Sequence, residues 1–350
     1  MQAEYVGIDL HRRRSVIVRK DAEGEILATI QIENEAMALA EAVAAAGEHP
    51  EVVLEATYGW YWAADVLTEL GARVHLAHPL GNNWGHRRVK NDQRDAEDLI
   101  DLLRLGRLAE AYVAPPGLRQ LRELVRHRAK LVALRSGLKA QVHAVLAKQG
   151  VVVNASDLFG VAGRSFLDTV PLGGAYRMRV DSLLELIDRF DDQVADFEEL
   201  LADVLADHPG YHAIQAIPGV GPVLAAVFLA EIGDAARFAS PAHLCSWAGL
   251  TPTHRESDTT VHRGRITKQG SVWCAGRPSR RLAANGAPPP SARPTIASPS
   301  GAAPTGSAGL PPPASFSSSS TTACATATSV AWPRQDDPPG AATKRARYLS

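Results

Sequence analysis

Four acidic residues occupy positions at which carboxylates can hold a metal ion. Asp9 and Glu55 each end a short apolar run that reads as a buried strand. Asp92 and Asp95 stand three apart at the start of a helical pattern, so their side chains share one helix face. Mg²⁺ prefers oxygen ligands and is usually held by a few carboxylates together with substrate phosphate. The pattern therefore predicts a Mg²⁺ site and favours an enzyme of nucleic-acid phosphoryl transfer.

The elements that must position these carboxylates read as an α/β domain over residues 1–115. Three strand patterns come first and are followed by alternating helices and strands. The strand patterns lie at residues 6–8, 15–19, 26–30, 52–55 and 73–76, and the helical ones at 35–46, 60–70 and 92–107. This is the order of a ribonuclease-H-like (RuvC-like) fold, in which the first and fourth strands are neighbours. We expect Asp9 beside Glu55, with the helix of Asp92 and Asp95 packed across them.

The middle of the chain, residues 116–208, reads as helical. Apolar residues recur at threes and fours over residues 118–149 and again over 181–207. Two long amphipathic helices predict an antiparallel hairpin or an oligomeric coiled coil, and a helical spacer packing on its own chain stays open. The basic residues from Arg119 to Lys139 form either a solvated face or a contact for a nucleic-acid backbone.

Residues 209–273 predict a small, mostly α-helical C-terminal domain. Gly219 and Gly221 form a turn before an apolar helix at residues 223–232. Backbone N–H groups at such a turn can hold a phosphate, and the turn resembles the hairpin of helix-hairpin-helix modules, although Pro-Gly turns before helices are common. From residue 274 the chain is rich in Ala, Pro, Ser, Gly and Thr, which predicts a disordered tail over residues 274–350.

Composition narrows the class of protein. The net charge of the 350 residues is −1, and eight Lys/Arg against two Asp/Glu follow residue 274, so the preceding part is acidic. Nucleic-acid contacts must then come from local patches such as residues 86–90. Three cysteines are too few for a disulfide framework. No run approaches the roughly 20 apolar residues of a membrane span, so we expect a cytoplasmic protein without a membrane partner.

The acidic spacing, the glycine turn and the segments 249–257 and 264–270 together resemble the DEDD-type insertion-sequence transposases, relatives of the pilin-gene invertases. The resemblance covers residues 4–273. It implies a RuvC-like domain in which the four acidic residues are catalytic metal ligands, and a C-terminal transposase domain in which Ser257 is the nucleophile. The catalytic set is then Asp9, Glu55, Asp92, Asp95 and Ser257.

The same resemblance implies DNA as the partner and Mg²⁺ as the cofactor of strand cleavage and rejoining. Because arginine forks match phosphate oxygens, the predicted DNA contacts are basic residues together with the glycine turn. They are Gly219, Gly221, Arg263, Arg265 and Lys268, with His254 and Arg255 as further phosphate partners. Some members of the family use a structured noncoding RNA, which is an option here. Handling two DNA partners predicts a homodimer or tetramer.

The sequence departs from the family in three places. Asn91 follows Lys90 where the family usually has Ser or Thr. Asp258 stands where the family usually has Gly, and its carboxylate would repel the scissile phosphate or could bind a metal ion. After Trp273 the family continues with an apolar helix, whereas a Pro-, Ser- and Ala-rich sequence follows here. We hypothesise a frameshift in a GC-rich gene, which would leave a truncated transposase domain and a defective copy. Sequencing the locus tests this, because a shifted frame must then encode the missing helix.

Other interpretations stay open. A non-catalytic DNA-binding relic is one alternative. An ATPase of the sugar-kinase and actin superfold is another, since its first phosphate motif also begins with an apolar strand ending in Gly-Ile-Asp. Taken singly, Asp92 reads as a helix N-cap and His11 as a surface residue. Tyr58 and the two tryptophans near it read as core or interface.

Overall fold

The computed structural model describes residues 4–79, 81, 91–257 and 260–275. The predictions made for residues 86–90, for Asp258 and for the tail from residue 276 lie outside this part of the chain. The described residues fall into two compact units, one ending at Pro115 and the other beginning at Pro116.

The first unit is a mixed α/β domain. Its strands are β1 Tyr5–Leu10, β2 Arg14–Lys20, β3 Ile26–Glu33, β4 Glu51–Glu55, β5 Arg73–Ala77 and β6 Glu110–Ala111; its helices are α1 Ala36–Ala44, α2 Trp60–Glu69 and α3 Asp92–Arg104. The sheet order is β3-β2-β1-β4-β5-β6. Strands β1, β4 and β5 run parallel, and the others pair antiparallel with their neighbours. The predicted neighbourhood of the first and fourth strands is confirmed.

Each face of this sheet is covered by helices. Side chains of alternate strand residues pack against α1 and α2 on one face, including Val6, Ile8 and Leu54. The opposite face, with Val18 and Val53, packs against α3. This division follows from the pleat, because successive strand residues point to opposite faces. The residues of α3 therefore lie opposite the strand side chains on this face of the sheet.

Gly7 allows α3 to lie directly on β1. A Cβ atom at this position would lie 2.3 Å from the carbonyl oxygen of Ala96 and 2.8 Å from Cγ1 of Ile100. Both distances are well inside van der Waals contact, so any larger residue would push the helix off the sheet. The glycine in the first strand is thus required by close packing.

We expect Gly7→Ala to destabilise the first unit by about 3 kcal/mol, because overpacking a tight contact forces the backbone to move. Thermal unfolding of the full chain measures the loss. Gly137→Ala is the control, since Gly137 lies inside a helix with no atom within 4 Å of an added Cβ. That change should stabilise the chain by about 1 kcal/mol. Equal unfolding of Gly7→Ala and wild type would contradict the packing argument.

The second unit is mostly helical. Its helices are α4 Pro116–Lys148, α5 Val161–Thr169, α6 Gly174–Val204, α7 Pro209–Gln215, α8 Pro222–Ile232, α9 Pro241–Trp247 and α10 Val272–Ala275, with a 3-10 turn at Ala235–Arg237. A two-stranded hairpin, β7 Pro252–Ser257 with β8 Thr260–Ile266, follows α9. The sequence reading missed the short helices and this hairpin, because their apolar residues are too few to show a period.

The helices α4 and α6 pack antiparallel within one chain. Ion pairs join Arg128 to Glu198 and Arg135 to Asp191, so residue numbers rise along one helix as they fall along the other. Of the arrangements left open by the sequence, the structure shows packing of the two helices on each other; a coiled-coil geometry stays a prediction. The paired arginines would have to leave their carboxylates to contact a nucleic-acid backbone. Among the described residues, no helix is long and apolar enough to cross a membrane.

Candidate active site

The pairing of β1 with β4 brings Asp9 and Glu55 together at the C-terminal ends of these two parallel strands. Ile8 lies opposite Leu54 in parallel register, so the residues that follow them are neighbours. Asp9 stands two residues beyond Gly7, and Glu55 two residues beyond Val53, which packs against α3. Because strand residues two apart share a face, both carboxylates belong to the face that α3 covers.

The first turn of α3 supplies the other two acids. The N-cap is Asn91, whose side chain accepts a hydrogen bond from the backbone N–H of Gln93. The single-residue reading of Asp92 as the N-cap is therefore wrong. Asp92 and Asp95 occupy the first turn instead, where the helix dipole favours negative charge.

The charges of these residues act on one another. The pKa of Asp9 is raised from 3.8 to about 6, first by burial and then by repulsion from Asp92, Asp95 and Glu55, while His11 opposes the rise. All four predicted carboxylates thus contribute to one electrostatic cluster. Such mutual repulsion is relieved when a cation binds between the acids.

His11 belongs to this cluster, although its sequence context reads as a surface position. Its Nε2 lies 3.1 Å from Oδ2 of Asp9 and 3.3 Å from Oδ2 of Asp92. One ligand atom from each of the three residues lies within 4.8 Å of the others. The donors are two carboxylates and an imidazole, a set that fits a divalent cation. A histidine two residues after the strand aspartate was the signal in the sequence.

We expect divalent-metal affinity to fall as the pH is lowered through about 6, rather than near 4. A proton and a metal ion compete for Asp9, and in the metal-free protein this proton is held with a pKa of about 6. Above that pH the carboxylate is ionised and affinity no longer changes on account of Asp9. Below it, affinity should drop by up to about tenfold per pH unit.

Titration of Mg²⁺ binding between pH 4.5 and 7.5 measures this profile, and circular dichroism at each pH is the control for folding. Affinity that stays constant down to pH 4.5 would contradict the raised pKa of Asp9.

In the second unit, Ser257 lies at the tip of an exposed hairpin. It is the last residue of β7 and pairs with Thr260, the first residue of β8. Arg255 pairs with His262, and these two residues share the face of Ser257 because they stand two positions away on each strand. His254 lies on the other face, with Nε2 3.1 Å from Oε2 of Glu256. Thr260, Arg255 and His262 thus lie on the serine's own face; His262 was not among the residues predicted from the sequence.

The base of the hairpin is closed by two glycines. A Cβ at Gly270 would lie 2.1 Å from the carbonyl oxygen of Trp247, and one at Gly249 would lie 2.5 Å from the amide nitrogen of Gly270. Across this contact the N–H of Lys268 donates to the carbonyl of Gly249 at 3.0 Å. Lys268 itself is exposed, with φ of 55°. These backbone contacts therefore hold the two ends of the hairpin together next to the end of α9.

A buried ion pair ties the segment after the hairpin to α4. Glu231, at the end of α8, is 4% exposed and accepts two hydrogen bonds from Arg126, at 2.8 and 3.0 Å. The hydroxyl of Ser271 donates to the same carboxylate at 3.2 Å. If Arg126 were removed, this buried carboxylate would lose its charged partner at a high cost, so the ion pair holds α8 against α4.

The other residues predicted to contact DNA lie in the turn before α8 and on β8. Gly219, with φ of 88°, lies in the turn between α7 and α8, and Gly221 is the N-cap of α8. Pro222 at the first helical position has no N–H, which leaves one donor fewer for a phosphate. Arg265 is exposed on β8. Phosphate binding by these residues and by Arg263 stays a prediction.

The aromatic residues after β4 divide into two groups. Tyr58 is 87% exposed, so of the two predicted roles, core or interface, a core position is excluded and an interface stays a prediction. Trp60 and Trp62 pack against the core beneath α2, as predicted.

The strand order, the covering helices and the acidic cluster define an α/β domain consistent with a ribonuclease-H-like domain of the DEDD class. A transposase family model for the IS110-type DEDD domain matches residues 6–149. A second model, described as Transposase IS116/IS110/IS902 family, matches residues 211–274. Together the two matches cover more than half of the sequence. The chain belongs to the IS110/IS116 family of insertion-sequence transposases.

Individual relatives agree with this assignment. The chain is 28% identical over 277 residues to the Putative transposase y4qE of Sinorhizobium fredii, which covers 76% of the chain and 68% of that protein. It is 33% identical over 169 residues to an uncharacterized protein of insertion element IS110 from Streptomyces coelicolor, 47% of the chain and 37% of that protein. A 70-residue match, 37% identical, is to the Pilin gene-inverting protein of Moraxella bovis and covers 20% of each. So short a match leaves the relation to invertases a proposal.

Proposed function

We propose that this protein is a DNA transposase that cuts and rejoins strands with the help of Mg²⁺ and a serine nucleophile. The observation that carries the proposal is the cluster of four carboxylates around Asp9, whose pKa is raised first by burial and then by repulsion from the other three. A carboxylate that is partly buried among like charges is costly to a fold unless a cation or a substrate group offsets it. Family membership supplies the substrate class, because insertion-sequence transposases act on DNA.

Each part of the chain has a separate role in this proposal. Asp9, Glu55, Asp92 and Asp95 hold the divalent cation, which when bound supplies Lewis-acid polarisation of a phosphodiester and charge stabilisation of the leaving oxygen. The hydroxyl oxygen of Ser257 attacks phosphorus, so that a phosphoserine bond forms as the bond to the leaving nucleotide oxygen breaks. Reversal with another strand's hydroxyl rejoins DNA and frees the serine.

Basic residues of the hairpin orient the phosphate. Arg255 shares the face of Ser257, and a guanidinium fork there can hold two phosphate oxygens while the hydroxyl attacks the phosphorus. Arg263, Arg265, Lys268 and the turn of Gly219 and Gly221 are the proposed contacts to flanking DNA. A cytoplasmic homodimer or tetramer, and a structured RNA transcribed from the element, complete the proposal.

The experiment uses the full chain with DNA that carries the sequences flanking its own gene. Cleaved and joined strands are followed in Mg²⁺ and in EDTA, each with and without a transcript of the noncoding flank. We expect joined products only with Mg²⁺; their dependence on the transcript decides whether RNA guides the reaction. Equal products in EDTA would reject metal-dependent transfer.

A defective copy is the competing proposal. It rests on the sequence change at residue 274, where the second family match also ends, and on Asp258 next to the proposed nucleophile. Under this reading the chain binds flanking DNA in a gel-shift assay but forms no joined product under any of the four conditions. Restoring the frame after Trp273 should then restore joining.

A further inference from the structure

The imidazole of His11 lies between two of the carboxylates that the proposed reaction uses. Its Nε2 is 3.1 Å from Oδ2 of Asp9 and 3.3 Å from Oδ2 of Asp92. In an octahedral complex with metal–ligand distances of about 2.1 Å, adjacent ligand atoms are about 3 Å apart. The nitrogen thus stands at the spacing of a neighbouring ligand to both oxygens.

The backbone of His11 is held from both sides. Its N–H donates to the carbonyl of Arg14 at 3.2 Å, which closes the turn between β1 and β2. Its carbonyl accepts from the side chain of Asn34 at 2.6 Å, and Asn34 in turn accepts from the hydroxyl of Ser15 at 2.6 Å. The turn is therefore fixed in place by three hydrogen bonds. A ligand on a fixed backbone loses little entropy when it binds a metal.

The contacts of His11 add little to the stability of the fold, because its own side chain is 52% exposed. The side chain of Asp92 is 57% exposed and that of Asp9 18%, and a pair with one partner this accessible to water contributes little to folding. The same contacts are well suited to ligation, because an exposed ring can exchange its carboxylate contacts for a cation and remain in position.

We propose that His11 is a metal ligand through Nε2, and that it makes the site prefer Mn²⁺ or another first-row transition ion to Mg²⁺. This inference rests on the proposed function, since it uses the same carboxylates. Imidazole nitrogen suits transition ions, whereas Mg²⁺ is a hard ion that favours oxygen ligands and keeps its waters. Ligation through Nε2 requires the ring to carry its proton on Nδ1, so that the Nε2 lone pair is presented to the cation.

The test measures binding of Mn²⁺ and of Mg²⁺ to the full chain, without DNA, by calorimetric titration. We expect wild type to bind Mn²⁺ at least about tenfold more tightly than Mg²⁺, and His11→Ala to lose about tenfold in Mn²⁺ affinity while Mg²⁺ affinity changes less than threefold. His49→Ala is the matched control: His49 is an exposed histidine of the same unit that contacts only the carbonyl of Gly71 among its described partners. This variant should keep the wild-type preference.

A spectroscopic readout separates ligation from an indirect effect. Pulsed electron paramagnetic resonance of the Mn²⁺-loaded protein should show coupling to a directly bound ¹⁴N nucleus in wild type and in His49→Ala. The coupling should be absent in His11→Ala. Thermal unfolding in EDTA should be the same for the three proteins, which excludes misfolding as the cause.

Two results overturn the inference by itself: no nitrogen coupling in wild type, or equal losses of Mn²⁺ and Mg²⁺ affinity in His11→Ala, which would leave His11 an ion-pair partner only. In both cases Asp9→Asn still abolishes metal binding, so the proposed function stands. If wild type binds neither ion and Asp9→Asn changes nothing, the proposed metal centre itself is wrong and the inference is overturned with it.

Discussion

Asp9→Asn should abolish strand transfer while making the metal-free protein more stable. Asn removes a charge of the acidic cluster whose side chain is only 18% exposed, and with it a proposed ligand for the divalent cation. Metal ions supply several kcal/mol of charge stabilisation in such reactions, so we expect a loss of about 1,000-fold or more in the rate of joining. DNA affinity should be unchanged or slightly higher, because one negative charge near the phosphates is gone.

The gain in stability follows from the sign of the pKa change. The folded protein holds the proton of Asp9 with a pKa of about 6, above the value of 3.8 for a free carboxyl. The unfolded chain therefore ionises first, and the ionised carboxylate destabilises the fold as the pH rises from about 4 to about 6. Above pH 6 we expect Asp9→Asn to be more stable than metal-free wild type by about 2 kcal/mol.

Thermal unfolding in EDTA at pH 7.5 and at pH 4 measures the difference. The two proteins should differ at the higher pH and unfold nearly together at the lower one, where Asp9 is protonated in the folded protein and about half protonated in the unfolded chain. Glu69→Gln, which changes an exposed carboxylate at the end of α2, is the control for loss of charge alone. A destabilised Asp9→Asn at pH 7.5 would mean that the carboxylate is structural.

Ser257→Ala should abolish the covalent protein–DNA intermediate while leaving metal binding intact. Removing the hydroxyl takes away the proposed nucleophile, and we expect at least about a 1,000-fold loss of joined product. Because Ser257 is exposed and its backbone pairing with Thr260 is unchanged by the substitution, the fold should not be affected. The adduct is measured as labelled DNA that migrates with protein on a denaturing gel.

Thr260→Ala is the matched control, since Thr260 lies directly across the hairpin and also loses a hydroxyl on the same face. It should form the adduct at close to the wild-type rate. Adduct formation by Ser257→Ala at that rate would assign the nucleophile elsewhere. Loss of the adduct in both variants would point to the hairpin's shape rather than to one hydroxyl.

Much of the first unit is predictable from its sequence. The strand and helix periods locate β1 to β5 and α1 to α3 to within a few residues, because each element is long enough to show its apolar pattern. The order of strands and helices along the chain is that of a ribonuclease-H-like fold. In that fold the first and fourth strands are neighbours, which predicts that Asp9 lies beside Glu55. The weak two-residue strand β6 and the small elements after α8 carried no such pattern and were missed.

The sequence by itself determined which carboxylates belong together, since apolar runs and helical spacing fix their places at strand ends and on one helix face. Only the tertiary structure decided which other groups stand among them or support the hairpin. His11 lies in the cluster because a hydrogen-bonded turn returns it toward α3, and Glu231 ties α8 to α4 through Arg126 from far along the chain. Contacts of this kind depend on how helices and strands pack against one another, and the local sequence pattern around each residue does not determine that packing.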